Sequence, residues 1–179
     1  METYIAFLRG INVGGQKKIK MAELRHSLGV LGYQNLQTYI QSGNLLFESS
    51  KDDVRVLEKE IKANILQDFA FDVPVLVRTV SQLEMILHRN PFLGKAENNN
   101  LYFVLLHTRP VQSNVNGFNQ LQFENEDFHV TGDCVYLNCY AGYGKAKLSN
   151  NLIEKKLGVT ATARNLKTMT KMLELAKGL

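Results

Sequence analysis

Two kinds of hydrophobic pattern alternate along the chain. Short apolar runs flanked by turn residues predict strands, and segments with apolar residues three or four positions apart predict helices. YIAFLR near the N-terminus is the first apolar run and predicts a central strand. Met21, Leu24, Leu28 and Leu31 then share one helical face, with Gly32 as the stop. LQTYIQ and LLFES predict two strands around the hairpin signal Ser42-Gly43-Asn44. Val54, Leu57, Ile61 and Ile65 predict a second helix, which Asp52-Asp53 opens, because acidic residues complement the dipole at a helix start. VPVLV reads as a strand, and Pro74 confines it to a sheet edge or a strand start. Ser81-Gln82-Leu83-Glu84 has the spacing of a capping box and predicts one more helix, ended by Asn90-Pro91.

The same order recurs beyond a turn-rich stretch, NPFLGKAENNN. LYFVLLH predicts a strand, and a helix around Phe118 and Leu121 is weakened by Gly117. FHV and VYLNCY flank a Gly132-Asp133 turn. Ser149 caps a helix carrying Leu152, Ile153 and Leu157 and ended by Gly158; VTAT and a final helix with Leu166, Met169, Leu173 and Ala176 follow. The expected fold class is therefore α+β, with two tandem ferredoxin-like (βαββαβ) subdomains and mainly antiparallel sheets. Residues 1–90 and 98–179 form the two subdomains, and about 91–97 the linker. The repetition lies in element order; the letters of the two halves do not repeat.

Composition changes this picture little. Apolar residues at 45% and charged residues at 21% are globular averages, so each half can bury a core. No apolar run approaches the ~20 residues of a membrane span, and METYIAFLRG lacks the basic region and cleavage site of a signal peptide. Cys134 and Cys139 fall on opposite faces of one predicted strand, roughly 16 Å apart at the strand rise, too far for a disulfide. Free thiols point to a reducing compartment, the cytoplasm. The four histidines have no metal-ligand spacing, so no metal site is expected.

Charge is more informative in its distribution than in its net value of +4. Arg9, Lys17, Lys18, Lys20 and Arg25 stand against Glu23 alone; Lys145, Lys147, Lys155, Lys156, Arg164, Lys167 and Lys171 stand against Glu154 alone. The remainder of the chain is net acidic, so the basic segments are candidates for an anion-binding face.

Three constellations carry candidate chemistry. The first is the loop Arg9-Gly10-Ile11-Asn12-Val13-Gly14-Gly15-Gln16-Lys17-Lys18, in which Gly14 and Gly15 permit close backbone approach while Arg9, Asn12, Lys17 and Lys18 supply donors. It is neither a Walker A loop nor GxGxxG; the plain alternative is a structural turn with a solvated basic tip. The second is Gly142 to Ser149, with Gly144, Lys145 and Lys147 as ligand candidates and Tyr140 and Tyr143 as stacking platforms; its alternative is a flexible connector. The third places Arg164, Thr168 and Lys171 on one helix face beside Asn165, where Arg164 can fork a carboxylate or phosphate. Capping by Thr162 or Asn165 with an ordinary salt bridge explains the same letters. The strand aromatics Tyr4, Phe7, Phe47, Phe103 and Tyr136 read as core, with Tyr39 on a more polar face.

LRGINVGG, YIQSGN and TARNLKTMTKMLEL resemble the bacterial domain-of-unknown-function 1697 family, over essentially the whole chain. The resemblance implies a two-subdomain fold with ferredoxin-like halves and no established activity. The family's last motif often carries Thr and Trp where this chain has Ala163 and Leu166, which weakens any idea of an aromatic stacking on a ligand there. No catalytic set, CxxC, HExxH or carboxylate cluster is present, and no cofactor is indicated. The leading expectation is a non-catalytic binder of a nucleotide, phosphorylated metabolite or nucleic acid, its two basic loops forming one anion site or acting singly. An enzyme acting on a phosphorylated substrate and a protein-interaction module with a basic face are the alternatives.

Overall fold

The structure, a computed structural model, describes residues 1–179. The chain divides into two compact units, one of residues 1–84 with 171–179 and one of residues 85–170. The division falls inside a helix, ahead of the turn-rich stretch at 91–97, and the last nine residues belong with the first unit.

The first unit runs β1 (Glu2–Leu8), α1 (Met21–Leu28), β2 (Gln34–Tyr39), β3 (Asn44–Ser49), α2 (Val54–Phe69), β4 (Val75–Thr79) and into α3 (Val80–His88). Its sheet has the order β2-β3-β1-β4, antiparallel throughout. The second unit repeats this with β5 (Leu101–Leu106), α4 (Gln112–Phe118), β6 (Glu126–Val130), β7 (Cys134–Cys139), α5 (Asn150–Leu157), β8 (Ala161–Asn165) and into α6 (Leu166–Lys177). The order β6-β7-β5-β8, again antiparallel, makes the fold two tandem ferredoxin-like α+β subdomains.

Burial explains why the central strands read as unbroken apolar runs. Tyr4, Ala6 and Leu8 with Leu45 and Phe47 pack against Leu24 and Leu28 of α1 and Leu57, Ile61 and Ile65 of α2. Ile5, Phe7, Leu46 and Leu76 on the opposite face are buried as completely. In the second sheet Val104, Leu106, Val135 and Leu137 pack on Phe118, Ile153 and Leu157. On its other face Tyr136 Oη donates to the carbonyl of Ile86 in α3 (2.9 Å). Strands covered on both sides lose the period-two alternation. Tyr4, Phe7, Phe47, Phe103 and Tyr136 are all buried, as expected, so no sheet offers an open row of rings to nucleic-acid bases.

The two units correspond residue by residue through hydrogen bonds where their letters do not. Leu8 N donates to Gly43 O and Leu106 N to Asp133 O; Arg9 N donates to Pro74 O and His107 N to Thr160 O. Tyr4 lies opposite Thr79, and Tyr102 opposite Asn165. Thr79 and Asn165 each start a helix. Thr79 Oγ1 accepts from Gln82 N while Thr79 N donates to Gln82 Oε1, so the capping box of α3 is Thr79/Gln82 in place of the expected Ser81/Glu84. The expected caps Asp53 and Ser149, and the left-handed stops Gly32 and Gly158, stand where the sequence puts them.

Other boundaries shift. β2 stops at Tyr39, leaving Ile40 and Gln41 in the turn. Leu121 lies beyond α4, β6 starts at Glu126, and the last strand is 161–165 rather than 159–162. No helix is long and apolar enough to cross a membrane.

Cys134 and Cys139 form no disulfide and are buried, at opposite ends of β7. Burial, with a smaller push from the Glu126 carboxylate, raises the Cys139 thiol to about 12. Thiolate is the reactive form, so the native protein should show no fast-reacting thiol. Two should appear on denaturation without reductant; fewer than two would contradict the free-thiol assignment.

Candidate functional site

The first basic loop joins β1 to α1. Gly14 and Gly15 do not open the helix, which starts six residues later at Met21. They are the central residues of a turn from Val13 to Gln16, both with positive φ (59° and 76°) and closed by Gln16 N on Val13 O. Positive φ at both centres is a type I′ turn, the geometry that favours Gly-Gly. A Cβ on either glycine would meet nothing within 4 Å, so the tip projects into open space.

Asn12 fixes this tip. It holds φ 55°, a conformation Asn tolerates. Its Oδ1 accepts from Ile19 N (2.9 Å), and its Nδ2 donates to Ile19 O (2.9 Å) and Gln41 O (2.8 Å). The amide expected to meet a ligand is therefore bonded across the loop base and to the turn between β2 and β3.

That turn carries its own strain. Ile40, β-branched and half exposed, sits at φ 48°, where such a residue is a genuine outlier. Gly43 has φ 75°, and a Cβ there would lie 2.7 Å from Leu8 Cβ and 2.7 Å from Ile11 Cδ1. The stretches LRGINVGG and YIQSGN thus meet in one loop pair. Backbone strain of this kind persists only where surrounding bonds over-determine it.

Lys17, at φ 44°, donates from Nζ to the Asp72 carbonyl (2.5 Å). Lys62 beside it holds the Asp72 carboxyl below the usual carboxylate range, with a weaker pull from Lys17. Lys18 is exposed and Arg9 half-buried at the start of the loop.

The second basic loop differs in kind. Tyr143–Lys145 form a 3-10 turn after Gly142 (φ 82°), and α5 begins only at Asn150. The amides of Lys147 and Leu148 converge on the Glu126 carboxylate, one on each oxygen (2.6 and 2.7 Å). Two charge-assisted bonds seat this buried anion. The loop does hold an anion, and it is the chain's own. A cavity of about 120 Å³ adjoins it, lined by Glu126, Cys139, Gly142, Lys145 and Lys147. Gly144, Lys145 and Lys147 are exposed. Tyr143 stacks on Tyr102 with ring centroids 4.7 Å apart, so its ring is engaged within the chain, whereas Tyr140 is tethered through its hydroxyl to Asp127 and its side chain stays exposed. Glu126 escapes sequence reasoning, because a lone acidic residue opening a short strand has no periodic or motif signal.

The third constellation does not share a helix face. Arg164 lies within β8, opposite Phe103, and its guanidinium donates to the Ala163 carbonyl (2.8 Å). Asn165 caps α6 by accepting from Thr168 N (2.8 Å), and Lys171 pairs with Glu174. The strand runs farther than VTAT suggests, which takes Arg164 out of the helix.

No curated protein matches the chain. The solved structure of a conserved bacterial protein from Streptococcus pneumoniae is similar in fold, with a TM-score of 0.77, 22% identity and coverage of 98% of each chain. The model of a family described as proteins of unknown function, DUF1697, matches residues 1–136 and so takes in both the loop pair and the Glu126 carboxylate. The chain belongs to the DUF1697 family.

Proposed function

We propose that the chain binds an anionic, phosphate-bearing ligand without covalent chemistry, and that the first loop is the principal site. The observation that carries this reading is the locked Gly14-Gly15 tip: three Asn12 hydrogen bonds fix the base of a turn that projects into open space beside Lys17 and Lys18. A rigid backbone turn supplies orientation, and the lysines supply long-range attraction. In the second loop Glu126 already takes two amides, so Lys145 and Lys147 contribute charge rather than orientation.

The test is a thermal-shift screen of nucleotides, phosphosugars and short RNA and DNA, followed by titration of the best hit. Lys17→Ala with Lys18→Ala should weaken that ligand at least tenfold, while stability stays within about 1 kcal/mol because such side chains contribute little. Lys145→Ala with Lys147→Ala should cost only a few-fold. A hit that binds the Lys17/Lys18 variant as tightly as the parent refutes the reading. Steep salt dependence would identify the ligand as nucleic acid.

A further inference from the structure

We infer that the outer edge of β6 is a docking site for an extended peptide that carries a bulky apolar residue next to a lysine or arginine. Each sheet has two edge strands, β2 and β4 in the first and β6 and β8 in the second. An edge strand presents backbone groups to any chain that can pair with it, and proteins usually blunt that edge. Three of the four are blunted.

In β2 the register slips between Gln34 and Gln37, with Asn35 at φ 51°, so the strand is bulged. In β4 the amide of Val77 is taken by Glu58 Oε1 (3.0 Å) and its carbonyl by Arg78 (2.8 Å). In β8 the amide of Ala161 is taken by Glu154 Oε1 (2.9 Å), its carbonyl by Asn150, and the Ala163 carbonyl by Arg164. β6 has none of these covers. Its register against β7 is unbroken from Glu126 to Val130, and no Pro or Gly interrupts it.

Beside this edge lies a groove of about 500 Å³, lined by Phe92, Leu121, Phe123 and Phe128 with Glu126 and Asp127. Phe123 and Phe128 meet edge to face, centroids 6.2 Å apart, and form an apolar floor. Open backbone and an apolar pocket at one strand are what strand addition requires: main-chain bonds supply affinity, and a pocket for alternate side chains supplies selectivity.

Charge chooses the occupant. The exposed carboxylates at this edge are Glu124 and Asp127; Glu126 is buried and held by amides of its own loop. Antiparallel pairing of two copies along β6 would set Asp127 opposite His129 and would bring no lysine or arginine to either carboxylate. The same carboxylates suit a basic residue flanking an apolar anchor.

The probe is an acetylated, amidated hexapeptide, Lys-Phe-Lys-Val-Lys-Val, added to the full chain and followed by chemical shifts and amide exchange. Binding should slow exchange at alternate amides of β6 by at least tenfold. N-methylation of alternate peptide amides should weaken binding at least tenfold. Replacing the peptide lysines by glutamate should abolish it, and Asp127→Lys should weaken it several-fold without unfolding the protein, since Asp127 is exposed. Equal binding of the N-methylated peptide, or no change at β6, overturns the inference. So does concentration-dependent protection of the β6 amides without peptide, which would mean that a second copy takes the edge. None of these outcomes bears on Lys17 or Lys18, so the anion-binding reading stands or falls separately.

Discussion

Gly43→Ala should be among the most destabilising single substitutions at the loop pair. Two separable costs add there. The backbone sits at φ 75°, a left-handed conformation that costs an L side chain about 1–2 kcal/mol. The new Cβ would lie 2.7 Å from Leu8 Cβ, a position fixed by the backbone, and 2.7 Å from Ile11 Cδ1. Overpacking of a tight site costs about 1–3 kcal/mol. Leu8 cannot yield without disturbing the bond from its amide to Gly43 O, which ties β1 to the turn. A loss of about 3 kcal/mol corresponds to a fall in melting temperature of roughly 6–12 °C for a chain of this size. Gly14→Ala is the control. It has a similar positive φ (59°) but open space around the added methyl group, so it should show only the conformational cost. Thermal melts of the two variants decide the matter: if Gly43→Ala is no worse than Gly14→Ala, the close approach to Leu8 and Ile11 is not real.

These two glycines also mark what the sequence could and could not disclose. Element order was legible because a strand buried on both faces must be apolar throughout, as YIAFL and LYFVLL are, and a helix lying on a sheet must repeat every three or four residues, as Leu57, Ile61 and Ile65 do. Antiparallel pairing in the order of a ferredoxin-like unit then follows from β-α-β-β-α-β. Thr79 gives no clear cap signal in the sequence because it also ends a strand, and the Ser81/Glu84 spacing two residues later matches the same pattern. Local rules cannot rank two candidates when pairing with β1 decides where the strand stops.

The sites were legible only as places. Glycines and lysines marked both loops, but the partners that decide their chemistry are distant in sequence. Asn12 reaches Gln41, Lys17 reaches the Asp72 carbonyl, and Lys147 meets Glu126. Each of these contacts needs the sheet to be assembled first. Residue type alone does not say what a donor meets: Asn12 and Arg164 have the donors of a ligand site, and each also bonds to backbone carbonyls of its own unit.

Glu126→Ala should destabilise the second unit by about 2–4 kcal/mol and loosen the loop after Gly142. The carboxylate accepts from two successive amides, Lys147 and Leu148, and bonds to a charged group are each worth about 1.5–3 kcal/mol. Alanine leaves the Leu148 amide in a buried position with no acceptor, and its desolvation cost is then unopposed. Water can enter the adjoining cavity of about 120 Å³ and recover part of the loss. Glu126→Gln should fall between parent and alanine, because the amide keeps one acceptor oxygen but loses the charge and the second acceptor. The Cys139 thiol gives a second readout. Burial is the larger cause of its raised pKa and the Glu126 charge the smaller, so removing that charge should lower the pKa in part. Thiol reactivity at pH 8–9 should therefore rise in Glu126→Ala and in Glu126→Gln, beyond what looser packing alone produces in a variant that keeps the carboxylate, such as Leu148→Ala. Amide exchange at Lys147 and Leu148 should accelerate in the same order as the loss of stability. If both Glu126 variants melt with the parent and those two amides stay protected, the carboxylate is not what holds the loop.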